Sequence, residues 1–494
     1  MKQNKRASGI LLPVFSLPSN YGIGTFGKEA YNFVDSLKNA RQKYWQILPL
    51  CPTGFGDSPY QSFSTFAGNP YFIDLDLLIN EGLLTREDCE GVDFGDHNNR
   101  IDYEKLRSGR YPLLRKAFVN SKHHHQKDYI AFKKKNASWL DNYCLYMAIK
   151  SCFNDVSWLE WDDDIKFRRP DAIKRYSEQM SDEIEFHSFL QFYFTKQWNA
   201  LKEYANKKGI KIIGDIPIYV AMDSADVWAD PSLFLLDENL NPISVAGVPP
   251  DYFSKTGQLW GNPLYHWERH AKDNYSWWIK RIEYAAKLYD TIRIDHFKGF
   301  DGFWAVPYAE KTAVNGQWCK GPGINLFRQV EKQLGYVDII AEDLGIQTES
   351  LHALLKETCY PGMKVIQFGF DNGHDSDNLP HHYLQRSVAY TGTHDNATLL
   401  EWYKGLSRKD KSSLRRYCRV DGRNPVYDII LTVVQSVADL VIVPIQDYLV
   451  LGAEARINIP STVGDNWKWR LTKGQFKKSV QKQIAKMTDT YFRS

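Results

Sequence analysis

Charge of either sign is almost cancelled in this chain: 62 Lys and Arg face 59 Asp and Glu over 494 residues, a formal net charge of +3. Such balance gives no electrostatic grip on a polyanion, so neither nucleic acid nor an acidic membrane surface is expected as a partner. Long apolar runs are missing too, and no stretch approaches the ~20 residues that span a bilayer. The start imitates a signal peptide, with Lys2, Lys5 and Arg6 before an apolar run over 10–15, but Pro13 breaks that run and no small-residue cleavage site follows. Cysteine is scarce and scattered: 7 residues, an odd number, with no CxxC spacing. That argues against a redox motif and for a reducing, cytoplasmic setting. The run His123, His124 and His125 reads as a solvated loop, because adjacent rings in a polar stretch point apart, and neither a metal nor a cofactor is expected. The glycines of residues 21–27 lack the strand-to-helix setting of a phosphate loop.

Apolar and aromatic residues are abundant: 43% of the chain is hydrophobic, with 15 Trp and 29 Tyr. Most of these rings serve packing, and some can stack on sugar faces. Short runs rich in Val, Ile and Tyr recur at 9–15, 44–50, 210–215, 291–295, 337–342, 363–368, 387–391 and 440–444, separated by helix-like stretches. Many lack polar alternation, as strands covered on both faces do. Eight such runs predict an α/β fold, a (β/α)8 barrel forming one domain over 1–494. Two spacings exceed ordinary barrel connections. A mostly helical insertion is predicted over 77–207, between the second and third strands. A loop-rich, Pro- and Gly-containing insertion over 221–270 separates the third from the fourth. A closing amphipathic helix is expected over 475–491.

Several runs end in charged residues: GDIP with Asp215, RIDHF with Arg293 and Asp295, AEDLG with Glu342 and Asp343, and GTHDN with His394 and Asp395. Barrel active sites form at the carboxyl ends of strands, which makes these residues candidates. Strand alternation puts Arg293 and Asp295 on one face, where the guanidinium favours an ionised carboxylate fit to act as nucleophile. Glu342 ends an apolar run, and desolvation there raises a carboxyl toward the range of a general acid. Asp343 faces the other way and suits a cap. Asp395 can grip sugar hydroxyls or cap its loop. Glycoside chemistry with retention uses two carboxyl groups ~5 Å apart, one forming a covalent intermediate and the other serving as acid and then base. On these residues alone a buried Arg–Asp pair, an alpha-glucan hydrolase, an enolase-like magnesium site and a non-catalytic glycan-binding protein all remain open.

The motifs GDSPYQSFSTFAGNPY (56–71), GDIPIYVAMDSADVW (214–228), GVPPDYFSKTGQLWGNPLY (247–265), RIDHFKGF (293–300), AEDLG, GTHDN and EARINIPSTVGDNWKWR (454–470) resemble the amylomaltase and disproportionating-enzyme family, glycoside hydrolase family 77, over essentially the whole length. The resemblance implies an alpha-amylase-type barrel without a C-terminal β-sandwich domain, and 4-alpha-glucanotransferase activity. Implied substrates are maltooligosaccharides and starch- or glycogen-derived alpha-1,4-glucans, with glucose or a glucan as acceptor. By the same resemblance Asp295 is the nucleophile, Glu342 the acid/base and Asp395 the transition-state stabiliser. Tyr60, Asp215, Arg293 and His394 would line the donor subsite. Asp251, Tyr252, Phe253, Gln258, Trp260 and Asn262 would lie on a mobile acceptor-side loop. Ala397, Lys255 and Ser461 depart from the family pattern without touching the carboxylates.

Overall fold

The computed structural model describes residues 6–95, 99–250, 254–370, 376–419 and 421–494. Its strands, in chain order, are β1 (Ala7–Leu11), β2 (Tyr44–Gln46), β3 (Lys211–Pro217), β4 (Ser244–Val248), β5 (Gln258–Pro263), β6 (Thr291–Asp295), β7 (Gly302–Pro307), β8 (Gln317–Lys320), β9 (Ile339–Ala341), β10 (Gly362–Val365), β11 (Ser387–Tyr390) and β12 (Leu440–Pro444). Parallel pairing closes eight of them into a barrel in the order β1-β12-β11-β10-β9-β6-β3-β2. These are the eight runs read from the sequence, with shorter ends in several cases. β1 stops at Leu11 because Pro13 turns the chain into the 3-10 helix Val14–Ser16. β10 similarly gives way to the 3-10 turn Ile366–Gly369.

The barrel interior is packed by Leu11, Ile213, Ile340, Met363, Val365, Val388, Tyr390 and Ile442. Alternate residues of each strand supply this filling, so the barrel is a core and not a pore. Truncating Ile213 to Ala would cost about 2–5 kcal/mol. Outside, helices cover the strands with apolar stripes at helical spacing, as in Lys28–Asn39, which buries Ala30, Phe33, Val34 and Leu37. The last helix, Lys478–Thr490, buries Gln481, Ile484, Met487 and Thr488. In β3, Gly214 is required by close approach: a Cβ there would lie 2.1 Å from the Tyr289 ring.

Between β2 and β3 the chain forms the long helices Tyr103–Asn120, Lys127–Cys152 and Ser181–Lys207. Beyond β3, β4 and β5 join β7 and β8 in an antiparallel sheet of order β5-β4-β7-β8, so this stretch contributes strands as well as loops. The loop reading of its Pro- and Gly-rich composition missed the short strand β4, whose backbone pairs with β5 on one edge and β7 on the other. The histidine run also needs correction. His123 is buried against Phe118, Tyr129 and Phe189, because its ring completes an aromatic nest between helices, while His124 stays largely exposed. Among the described residues no strand follows β12, and no helix is long and apolar enough to cross a membrane.

Candidate active site

The carboxyl ends of β3, β6 and β9 bring four charged side chains together. Asp215 pairs with Arg293 in the β3–β6 register, and Ile294 pairs with Ala341 in the β6–β9 register. Asp295 and Glu342 therefore follow at matching positions of neighbouring strands, which run about 4.8 Å apart. Arg293 is buried and donates to Asp215 Oδ2 at 2.6 Å and to Asp295 Oδ1 at 3.0 Å. Tyr60, from the loop after β2, donates its hydroxyl to the same Asp215 Oδ2 at 2.7 Å. Asp215 Oδ1 is buried and has no hydrogen-bond partner among the described residues. Such an orphaned acceptor fits a hydroxyl donor from a ligand.

Glu342 is held by backbone. His296 N–H donates to its Oε2 at 2.7 Å and Leu344 N–H to its Oε1 at 2.8 Å. The His296 backbone is left-handed, with φ 51°, and this turn directly after Asp295 aims its N–H at the neighbouring strand. Asp343 accepts from Met363 N–H at 2.7 Å. It thus laces β9 to β10 and caps no helix, because the strand end at Gly362 comes close enough to receive it.

Burial sets the electrostatics. It pushes the Glu342 carboxyl up, against the pull of Arg293 and the two backbone donors. Burial, joined by Asp215, Glu342 and Asp395, also drives Asp295 well above the usual carboxylate range, although Arg293 pulls it down. Sequence adjacency predicted only the Arg293 effect; burial first, with the neighbouring carboxylates added to it, outweighs that pull. Burial works against the Arg293 charge, yet Asp215 and Asp295 hold its guanidinium protonated well above its ordinary value. Tyr60 is raised far above the normal phenol range, by burial first and Asp215 second.

The GTHDN loop after β11 supplies the next wall. His394 stacks on Tyr60, with ring centroids 5.1 Å apart and planes 11° from parallel, and its Nε2 lies 3.3 Å from Asp395 Oδ2. Burial pushes the His394 imidazole below its ordinary value. Asp395 Oδ1 accepts from Asn458 Nδ2 at 2.6 Å, and its carbonyl accepts from Arg456 at 3.1 Å. Both partners belong to the EARINIPS segment, whose motif was legible but whose contacts were not. Beneath the loop, buried Asp447 accepts from Thr391 Oγ1 at 2.6 Å and from Leu399 N–H at 2.7 Å, bracketing the loop at both ends. Sequence reasoning missed Asp447 because it sits in a helical turn, outside every strand-end motif.

On the opposite side, Trp260 of β5 meets the His296 ring edge-on at 4.7 Å, and its indole N–H reaches Gln258 Oε1 at 3.2 Å. Asn262 is not presented to a ligand in the same way. It is buried, donating to the Val220 carbonyl at 2.8 Å and accepting from Gln61 at 3.2 Å, bonds that hold the strand. Asp251, Tyr252 and Phe253 lie outside the described residues. A cavity of about 560 Å³ lined by Tyr21, Lys28, Asp74, Arg86 and Arg470 contains none of these carboxylates. Convergent titratable groups, and not cavity size, identify the site.

Comparison with known proteins gives a consistent picture. The family profile of glycoside hydrolase family 77, described as 4-alpha-glucanotransferase, matches residues 12–476. The chain is 48% identical over 485 residues to a 4-alpha-glucanotransferase of Clostridium butyricum, covering 97% of this chain and 99% of that one. It is 45% identical over 483 residues to the 4-alpha-glucanotransferase of Thermus thermophilus, covering 95% of each. Among solved structures, the amylomaltase from Streptococcus agalactiae in complex with acarbose aligns with a TM-score of 0.96 at 43% identity, over 99% of this chain and 100% of that one. An amylomaltase from Corynebacterium glutamicum shares the fold, with a TM-score of 0.78 at 17% identity over 99% of this chain and 74% of that one.

Proposed function

The chain belongs to glycoside hydrolase family 77, the 4-alpha-glucanotransferases, and from that premise we propose that Asp295, Glu342 and Asp395 move alpha-1,4-glucan segments by a retaining double displacement. The observation that carries this reading is the matched register of Asp295 and Glu342 on neighbouring strands, with Arg293 beneath them. It suits the ~5 Å carboxyl spacing of retention through a covalent intermediate.

Arg293 occupies Asp295 Oδ1, which leaves Oδ2 to attack the anomeric carbon. As the bond from that carbon to the leaving sugar oxygen breaks, Glu342 gives that oxygen its proton. The remaining glucan stays joined to Asp295 as an ester. Glu342, now a carboxylate, takes the proton of an incoming sugar hydroxyl, whose oxygen displaces Asp295 and restores the alpha configuration. Asp395, held by Asn458, and the free Oδ1 of Asp215 supply acceptors for hydroxyls of the distorting donor ring. Tyr60 and His394 wall that ring. Gln258 and Trp260, with Asp251, Tyr252 and Phe253, serve the acceptor side, where an aromatic cover that excludes water favours a sugar acceptor over hydrolysis.

Donors are maltooligosaccharides and glucans of starch or glycogen origin, and the acceptor is glucose or a glucan. The acarbose bound by the S. agalactiae enzyme supports an oligosaccharide ligand for this cleft. The free cysteines, with Cys152 and Cys359 exposed, suit a reducing cytoplasm. Incubation with maltotriose tests the reading: longer maltooligosaccharides together with glucose are expected, whereas only shorter sugars would make the chain a hydrolase.

A further inference from the structure

The helical insertion holds a second cluster of side chains that the transfer reaction does not use. His123 lies in the turn between the helices Tyr103–Asn120 and Lys127–Cys152, and Glu185 faces it from the helix Ser181–Lys207. The Ser121 hydroxyl donates to the Phe118 carbonyl at 2.7 Å, so its oxygen is left to accept from His123 Nδ1–H. In that tautomer His123 Nε2 carries a bare lone pair. This atom is buried, has no hydrogen-bond partner among the described residues, and faces Glu185 Oε1 at 3.5 Å. His124 Nδ1 faces the same oxygen at 3.3 Å. The other tautomer would place a proton on Nε2 for a long 3.5 Å contact, and would ask Nδ1 to accept from a hydroxyl already committed to Phe118.

The bare lone pair of His123 Nε2 and the carboxylate oxygen it faces repel one another unless a cation lies between them. A tetrahedral ion with bonds of about 2.0–2.1 Å has ligand-to-ligand edges of about 3.3 Å, close to both separations observed. The three donor atoms lie within 4.8 Å of one another. We propose that His123 Nε2, His124 Nδ1 and Glu185 Oε1 form a binding site for a divalent transition metal, zinc by its ligand set, which ties the turn to the long helix. Ser121 fixes the His123 tautomer, as partners of metal-bound histidines do. Lys133 Nζ, 2.7 Å from Glu185 Oε2, and the Tyr129 hydroxyl on Oε1 orient the carboxylate. The Lys133 charge opposes a second cation, so binding is weakened by it, and the role is structural, not catalytic. The fourth position opens to water beside His124, whose side chain is 60% exposed.

The test uses the full chain stripped with a chelator and titrated with zinc against a chromophoric competitor, then with cobalt(II). One equivalent should bind, cobalt should give the visible bands of a four-coordinate ion without thiolate charge transfer, and saturating zinc should raise Tm by about 2 °C. His124→Gln and Glu185→Gln should each weaken binding by about 100-fold or more while maltotriose transfer is unchanged. His124→Gln alters an exposed side chain, so loss of fold does not cloud that result. Absence of stoichiometric binding would overturn the proposal. So would undiminished binding in both variants, or thiolate bands that assign the ion to cysteine.

Discussion

The two sides of the cleft are built differently. On the carboxylate side, Asp215, Arg293, Asp295 and Glu342 stand on adjacent barrel strands and are tied to one another or to backbone N–H groups at 2.6–3.0 Å. On the facing side, Trp260 rests edge-on against His296 from an outer strand of a separate sheet, with Gln258 and a loop beside it. Bond making at a fixed anomeric carbon requires the first kind of support, since small misplacement of reacting groups is costly. Accepting chains of varying length requires the second, where a ring face supplies adhesion without strict geometry. Chemistry and acceptor choice should therefore be separable by mutation.

The largest effect is expected from Asp295→Asn, which should lower transfer about ten-thousand-fold or more, measured as disproportionation of maltotriose. Glu342→Gln should cost about a hundred- to ten-thousand-fold with the same substrate. With a glycosyl fluoride donor, whose leaving group needs no proton, its first step should recover. The pH profile sharpens that assignment. Glu342 is raised, so the wild type keeps its acid to higher pH than an ordinary carboxyl and loses kcat/KM as pH rises through that value; Glu342→Gln should lack this limb.

Trp260→Ala should act on the other side of the cleft. An increase of about tenfold in acceptor KM, equal to about 1.4 kcal/mol, together with a larger share of hydrolysis and an unchanged rate of donor cleavage, would uphold the division. An equal loss with a fluoride donor and water alone would break it. The smallest effect concerns Asp447, which burial pushes up to about 6. Its native value lies above the unfolded one, so the stability it contributes is complete below the ordinary aspartate value and fades as pH climbs through about 6. Asp447→Asn keeps the shape without the charge. Its Tm relative to wild type should improve from about pH 4 to pH 7, and a constant difference would refute the assignment.

The barrel was legible because both-face burial leaves uninterrupted apolar runs, and each run marked a real strand. Strand ends were less so, since Pro13 and the turn at Ile366 cut runs that hydrophobicity alone extends. Asp295, Glu342 and Asp395 were visible as charges at or just beyond the ends of such runs. Asp447 and Asn458 were not, because their importance lies in contacts across 48 and 63 residues that no local pattern encodes. Asn262 shows the converse: a motif neighbour of Trp260 that turns inward. Ser461, which departs from the family pattern, has a φ of 64°, a left-handed conformation that favours glycine.

The left-handed residue after Asp295 makes the protonation of Glu342 observable. Because His296 offers its amide to one oxygen of Glu342 and Leu344 offers its own to the other, arrival of a proton on either oxygen weakens one of two bonds that can be watched separately. The nitrogen resonances of these amides form a pair of built-in gauges. During a titration, the one that moves names the oxygen that carries the proton before any sugar has bound.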